Sequence, residues 1–278
     1  MPAEDSLRLP IFLGVLALMA LWEVAAPQRR AETPCLIRWS NNMALVVIDS
    51  LLVRLLFPVL AVGVALVATT RGWGLFNSVS LPGWVEISLA ILLLDLAIYL
   101  QHRLFHRIPL LWRLHRMHHT DTDFDVTTGL RFHPVEIILS MAIKMGIVLL
   151  FGLPAIAVLL FEIILNATAL FNHGNIRLPA WIDAKLRWVL VTPDMHRIHP
   201  SVIPRETHSN FGFNLPWWDR LFGTYRDQPR DGQRGMTIGL PQFRDRRELW
   251  LDRMLLQPLR NDPVSPAAAS PPPDAPTG

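Results

Sequence analysis

All ten histidines of this 278-residue chain fall between His102 and His208, and their spacing is the first sign of chemistry. His102 and His106 are four residues apart, so on a helix they share one face. His115, His118 and His119 stand at i, i+3 and i+4, again on one face, and His196 and His199 are three apart. His133 and His173 stand alone, forty residues apart. Imidazole suits iron, zinc and copper, and same-face pairs let one helix offer two ligands at once. Seven or eight imidazoles exceed what one tetrahedral zinc ion uses, so two metal ions sharing the set is the simplest account. No carboxylate bridge is evident, which separates the pattern from glutamate-rich di-metal bundles. One such pair is commonly an accident of surface or core; three clusters in succession are not. The expected ligands are His102, His106, His115, His118, His119, His196 and His199, joined by His173. His133 reads equally as a helix cap, an outer hydrogen-bond partner or a ligand. His208, in a polar stretch, reads as an ordinary side chain.

Asp95, Tyr99, His102 and His106 are spaced 4, 3 and 4, one stripe along a helix that begins in apolar sequence. A carboxylate inside such a segment faces a partner or a cavity. The expectation is that Asp95 accepts a hydrogen bond from an imidazole and fixes its tautomer; the plainer alternative is a bond to a neighbouring backbone.

The elements that must position these residues are apolar. Five stretches stand out, 10–26, 43–70, 84–100, 135–151 and 155–171, and a spanning helix needs ~17–25 such residues. The second is long enough to span and then project; Asp49 and Arg54 in its first part indicate that this end protrudes or packs against protein. The last two are separated by Gly152-Leu153-Pro154, a turn, so they form a helical hairpin that returns His133 and His173 to one level. Arg29, Arg30 and Arg38 after the first span, and Arg103, Arg107, Arg113 and Arg116 after the third, place both segments in the cytoplasm. Every histidine then lies at a cytoplasmic helix end or beyond it. The first apolar stretch lacks a basic leader and a cleavage site and is expected to be a retained anchor. Residues 181–190 predict a short amphipathic helix at the interface, and 210–225 are dense in aromatics. From 261 onward the chain turns to Pro, Ala and Ser, and is expected to be disordered.

Composition agrees. Hydrophobic residues make up 51% and charged residues 18%, below the ~25% charge of soluble domains. Cys35 is the lone cysteine, which excludes a disulfide framework and disfavours a thiolate metal site. The net charge of +3 is scattered, with no basic block to track nucleic acid. Arginine far outnumbers lysine, the bias of a GC-rich bacterial genome, so the expected location is a bacterial inner membrane. The fold expected is all-α: a multi-pass transmembrane protein with a cytoplasmic, histidine-rich helical cap. It divides into transmembrane helices over 1–94, a catalytic region over 95–240 that includes the hairpin, a C-terminal segment over 241–260 and the tail over 261–278.

The run DLAIYLQHRLFHRIPLLWRLHRMHHTDTDFDVTTGLRFHPVE, the motif FNHGN and the run MHRIHPSVIPRETHSNFGFNLPWWDRLFGTY together resemble the fatty acid hydroxylase/sterol desaturase superfamily. The resemblance covers roughly Asp95 to Leu240. It implies a histidine-ligated pair of iron ions on the cytoplasmic side, O2 as co-substrate, a membrane lipid or sterol-like substrate, and an external electron donor, ferredoxin-like or cytochrome-type. Hydroxylation and desaturation are both compatible with it. One position departs from the family pattern. The third histidine box normally ends in a histidine pair, and here it reads His196-Arg197-Ile198-His199-Pro200. Proline cannot ligate a metal, so water or Asp194 fills the place, His208 swings in, or one iron is held weakly; the last is preferred. A membrane metal transporter or a metal-binding protein without oxygenase activity is the alternative class, and a metal-dependent hydrolase a third. Transport would favour ligands near the bilayer midplane, whereas these gather at one face.

Overall fold

The computed structural model describes residues 2–260, with side chains from Leu7 onward. The tail expected to be disordered lies outside the described residues. The protein is helical, and no strand occurs among the described residues; the only strand-like contacts among them are the isolated bridges Pro27–Ile176 and Ser201–Ile238. The long helices are α1 (Pro2–Ala25), α2 (Cys35–Leu56), α3 (Ala61–Arg71), α4 (Gly83–Arg107), α5 (Pro109–His119), α6 (Pro134–Phe151) and α7 (Ala155–Asn172). Short helices follow, among them α8 (Ala180–Leu186) and α9 (Pro193–His196).

Prolines set many of the boundaries. Pro109 disfavours helix at Ile108, where α4 stops with extended backbone, and then opens α5 at its first position. Pro134, Pro193 and Pro204 open their helices in the same way. The stretch 43–70, expected to span and then project, is broken into two helices. The apolar segment starts earlier, at Cys35, and breaks between Leu56 and Ala61, where Phe57 turns extended beside Pro58. Proline removes a backbone donor and clashes with the preceding turn, which ends α2 there.

Five segments among the described residues are long and apolar enough to cross a membrane: Leu7–Ala25, Cys35–Asn77, Gly83–Arg107, Pro134–Phe151 and Ala155–Asn172. Between 6% and 39% of each is buried within the protein, so their apolar side chains mostly face outward. Leu13, Leu18, Leu55, Leu66, Leu150 and Ile156 are among them. Such a surface is stable in lipid, where helices satisfy every backbone group internally. The interior between α3, α4, α6 and α7 is built largely from small and branched residues, including Ala61, Ala65, Ala90, Val148 and Ala157, packed around Phe161. Small side chains let the helices approach closely.

The α6–α7 hairpin turns at Gly152, whose φ is +66°, and packs on Gly74, whose φ is +90°. A Cβ on Gly74 would sit 2.1 Å from the Gly152 nitrogen, so this crossing requires glycine. At the opposite end of the hairpin lie His133, which caps α6, and His173, which caps α7. The C-terminus of α4 and all of α5 join them there. Residues 120–130 fold over this end as a loop closed by the 3-10 turn Val126–Leu130, capped by Asp125. The helix expected over 181–190 is the shorter α8, which exposes Trp181, and Trp188 and Val189 are exposed just after it.

Candidate metal centre

The histidines collect into two buried groups at one end of the bundle. His102 and His106 from α4, His115 and His119 from α5, and His199 form one; their ligand nitrogens all lie within 4.8 Å of one another. His118, His173 and His196 form the other, within the same limit. The i and i+4 residues of α5 serve the first group, while the i+3 residue turns to the second and meets His173 at the end of α7. The turn after α9 separates His196 from His199, and each joins a different group.

Three rings have their tautomer fixed by main-chain carbonyls. Nδ1 of His102 lies 2.8 Å from the Phe211 oxygen, Nδ1 of His173 lies 2.8 Å from the Ala169 oxygen, and Nδ1 of His199 lies 2.7 Å from the Ser209 oxygen. A carbonyl only accepts, so in each ring Nδ1 carries the proton and Nε2 carries a lone pair. Nδ1 of His115 donates to the Glu136 carboxylate at 2.7 Å, which leaves its Nε2 bare as well. These nitrogens point at each other. His102 Nε2 and His115 Nε2 are 3.0 Å apart, and His173 Nε2 is 3.1 Å from His196 Nε2 and 3.3 Å from His118 Nε2. His106 Nε2, His199 Nε2 and both ring nitrogens of His119 have no hydrogen-bond partner.

Burial keeps the rings neutral. It pushes His115 and His173 down to about 3, and it lowers His118, His119, His196 and His199 far below the ordinary imidazole value, helped by neighbouring rings. Convergent lone pairs on neutral rings in a low-dielectric interior repel one another, and a shared cation resolves the repulsion. The donor set therefore fits metal ions, one per group, and nitrogen donors suit first-row transition metals.

The local backbone is shaped for this. Asn210 has φ of +53°, a left-handed conformation that asparagine tolerates. Its side chain donates to the oxygens of Met195 and Arg226 and accepts from the Arg226 nitrogen. The kink lets the carbonyls on either side of it, Ser209 and Phe211, reach His199 and His102. Asp219 holds the Phe211 and Gly212 amides at 2.8 Å each.

Other expected residues fall elsewhere. Asp95 meets no imidazole; its Oδ2 accepts from Trp218 Nε1 at 2.8 Å. It lies about 10 Å down α4 from His102, whose Nδ1 is already taken by Phe211, so it anchors the aromatic segment instead. Phe222 of that segment stacks on Tyr99 with ring centroids 5.5 Å apart. His133 caps α6, accepting from the Val135 amide, and its other nitrogen lies 3.2 Å from the Leu255 oxygen. Asp194 is ion-paired with Arg197 and stands away from both groups. His208 lies against His106, Nδ1 to Nδ1 at 3.3 Å, on the side of the five-histidine group. Glu136 was missed by the sequence reading; the signal was a carboxylate in the first turn of an apolar helix that starts at a histidine. A cavity of about 450 Å³ reaches the five-histidine group at His102 and His115.

Five helices long and apolar enough to cross a membrane, with two buried imidazole clusters able to hold metal ions at one end of them, are the class-defining features of the described residues. A model of the fatty acid hydroxylase family matches residues 87–224, which hold all eight of these histidines. The chain belongs to the fatty acid hydroxylase/sterol desaturase superfamily. It is 29% identical over 157 residues to the ornithine lipid hydroxylase OlsE of Rhizobium tropici, covering 56% of this chain and 46% of that one. It is 28% identical over 156 residues to the alkylglycerol monooxygenase of Xenopus tropicalis, covering 54% and 32%. To the human alkylglycerol monooxygenase it is 26% identical over 178 residues, covering 62% and 38%. The chain thus spans less than half the length of these relatives. No solved structure matches it.

Proposed function

We propose that the protein hydroxylates a membrane lipid with O2 at a pair of iron ions. His102, His106, His115, His119 and His199 would hold one iron, and His118, His173 and His196 the other. The observation that carries this reading is the convergence of bare imidazole nitrogens whose outer Nδ1 protons are tied to carbonyls and to Glu136. Iron bound there would supply the activation of O2 against an unreactive C–H bond. The chain's own contribution is to hold the rings, to keep water out, and to present substrate. The cavity supports this, because apolar residues such as Phe105, Phe132, Ile137, Met141 and Leu165 line it up to His102 and His115. A lipid can therefore bring a methylene to the metal centre while its chain stays in an apolar channel. Two electrons from an external donor, ferredoxin-like or cytochrome-type, and two protons balance the reaction to an alcohol and water. The orientation that fits the arginine bias puts the histidine end in the cytoplasm of a bacterial inner membrane.

The test is to incubate the metal-loaded protein with reductant and membrane lipid extract under ¹⁸O2. A lipid alcohol carrying heavy oxygen is the expected product. An unlabelled alkene would replace hydroxylation by desaturation, and metal accumulation in vesicles without oxygen consumption would replace both by transport.

Glu136 is a positioning residue in this scheme. Glu136→Leu strips the His115 Nδ1–H of its acceptor and lets the ring turn, and loss of such an outer hydrogen bond costs about 10–100-fold in metal affinity. Glu136→Gln retains an acceptor oxygen and is expected to recover most of that affinity. Chelator competition reads both, and equal affinity in Glu136→Leu and the unaltered protein would remove Glu136 from the scheme.

A further inference from the structure

The cavity that meets His102 and His115 continues into a second recess of about 310 Å³ that shares Asp49, Ser50, Lys144 and Asn166 with it. Four membrane-spanning helices meet there: Arg8 comes from α1, Asp49 and Ser50 from α2, Lys144 from α6, and Glu162 and Asn166 from α7. Most of the charge in this recess is satisfied within the protein. Lys144 Nζ donates to Glu162 at 2.7 Å, and Arg8 pairs with the other oxygen of the same carboxylate. Asp49 differs. It is 8% exposed, it lines both cavities, and its Oδ1 has no hydrogen-bond partner. A carboxyl inside a membrane segment is costly and marks a functional contact. An acceptor oxygen left bare on a cavity wall calls for a donor from whatever fills the cavity. Glu136 lies along the same cavity, but one of its oxygens is committed to His115.

We infer that Asp49 recognises a hydrogen-bond donor on the lipid substrate, an ammonium or a hydroxyl group, while the alkyl chain runs along the apolar wall to His102 and His115. The inference rests on the reading of the cavity as the lipid site. Asp49 and Ser50 precede the region matched by the family, residues 87–224, so this contact would be a property of this chain's own N-terminal helices.

The test uses the full-length, metal-loaded protein in neutral-lipid nanodiscs and three probes of equal chain length: hexadecylamine, hexadecanol and palmitate. The unaltered protein is expected to bind the amine or the alcohol at least about tenfold tighter than palmitate, as a charge-assisted bond provides. The tighter of the two identifies the donor. Asp49→Asn keeps the shape, removes the charge, and is expected to reduce the ratio of the tighter donor probe to palmitate about tenfold. Asp49→Leu abolishes the preference for either donor. Comparing ratios cancels partition into the bilayer. An unchanged ratio in Asp49→Asn, or palmitate binding best to the unaltered protein, overturns the inference. No turnover is needed for this measurement. Asp49-dependent binding without lipid-dependent oxygen consumption would therefore refute the hydroxylase and leave the site, while oxygenation without any Asp49 dependence would do the reverse.

Discussion

His173→Ala is expected to eliminate the second metal site and with it lipid oxygenation, whereas His119→Ala leaves both sites as the unaltered protein has them. The two groups are unequal, five imidazoles against three. Removing His119 leaves four nitrogens around the first ion, the number a closed protein site uses. Removing His173 leaves His118 and His196 alone, and it also takes away the ring that stands between them at 3.1 and 3.3 Å. The loss of activity should exceed the ~10–100-fold that an outer hydrogen bond is worth. The smaller group is also where the third histidine box is short. In α5 the residues at i and i+4 share a group, and by the same spacing Pro200 falls on the side of His196. Neither side chain considered for the gap stands there, since Asp194 is held by Arg197 and His208 lies beside His106. The unaltered protein should therefore retain about one iron per chain after dialysis, and Pro200→His should raise that toward two. Metal analysis of the three variants decides it. Equal retention in His173→Ala, Pro200→His and the unaltered chain would mean that the three-histidine group holds no ion.

The histidine pattern was legible because helix geometry alone puts i, i+3 and i+4 on one face. Its division was not. His118 leaves its neighbours for His173, a choice made by the packing of α5 against the end of α7, fifty-five residues away. Carboxylates were the harder case. Asp95 sits on the right stripe, yet a carboxylate bonds to whatever lies across from it, and across from Asp95 is Trp218. Glu136 carries no periodic signal and meets His115 only because α6 starts beside α5. The spans were read well from apolarity, apart from the break at Pro58, which a count of apolar residues passes over. Asp49 was expected to protrude or to pack against protein, and it is buried within the protein; its place on a cavity wall was not legible, because a void between four helices leaves no trace in sequence.

Arg38→Met is expected to be the most destabilising single change outside the metal centre, at about 3–5 kcal/mol, the cost of breaking a buried ion pair from one side. Arg38 is 1% exposed. Its Nε and Nη2 bind Asp121 at 2.7 and 2.9 Å, and its Nη1 binds Asp125 at 2.5 Å. Methionine fills the volume but abandons two carboxylates in the interior, and Thr128 loses a donor at 3.1 Å. Lysine is no remedy, since one ammonium cannot reproduce a planar fork that serves two carboxylates. The consequence reaches the site along the chain. Asp121 follows close after His118 and His119 in the chain, and Asp125 caps the turn that carries Gly129 onto His173, so close that a Cβ there would lie 3.1 Å from the ring. Arg38 thus ties α2 to the loop that fixes the three-histidine group, and the variant should lose metal from that group before it unfolds. A triple variant, Arg38→Met with Asp121→Asn and Asp125→Asn, removes the stranded charges and should recover part of the loss. Chemical unfolding in detergent measures both, and an Arg38→Met protein within about 1 kcal/mol of the unaltered one would show that the network contributes no more than a surface pair.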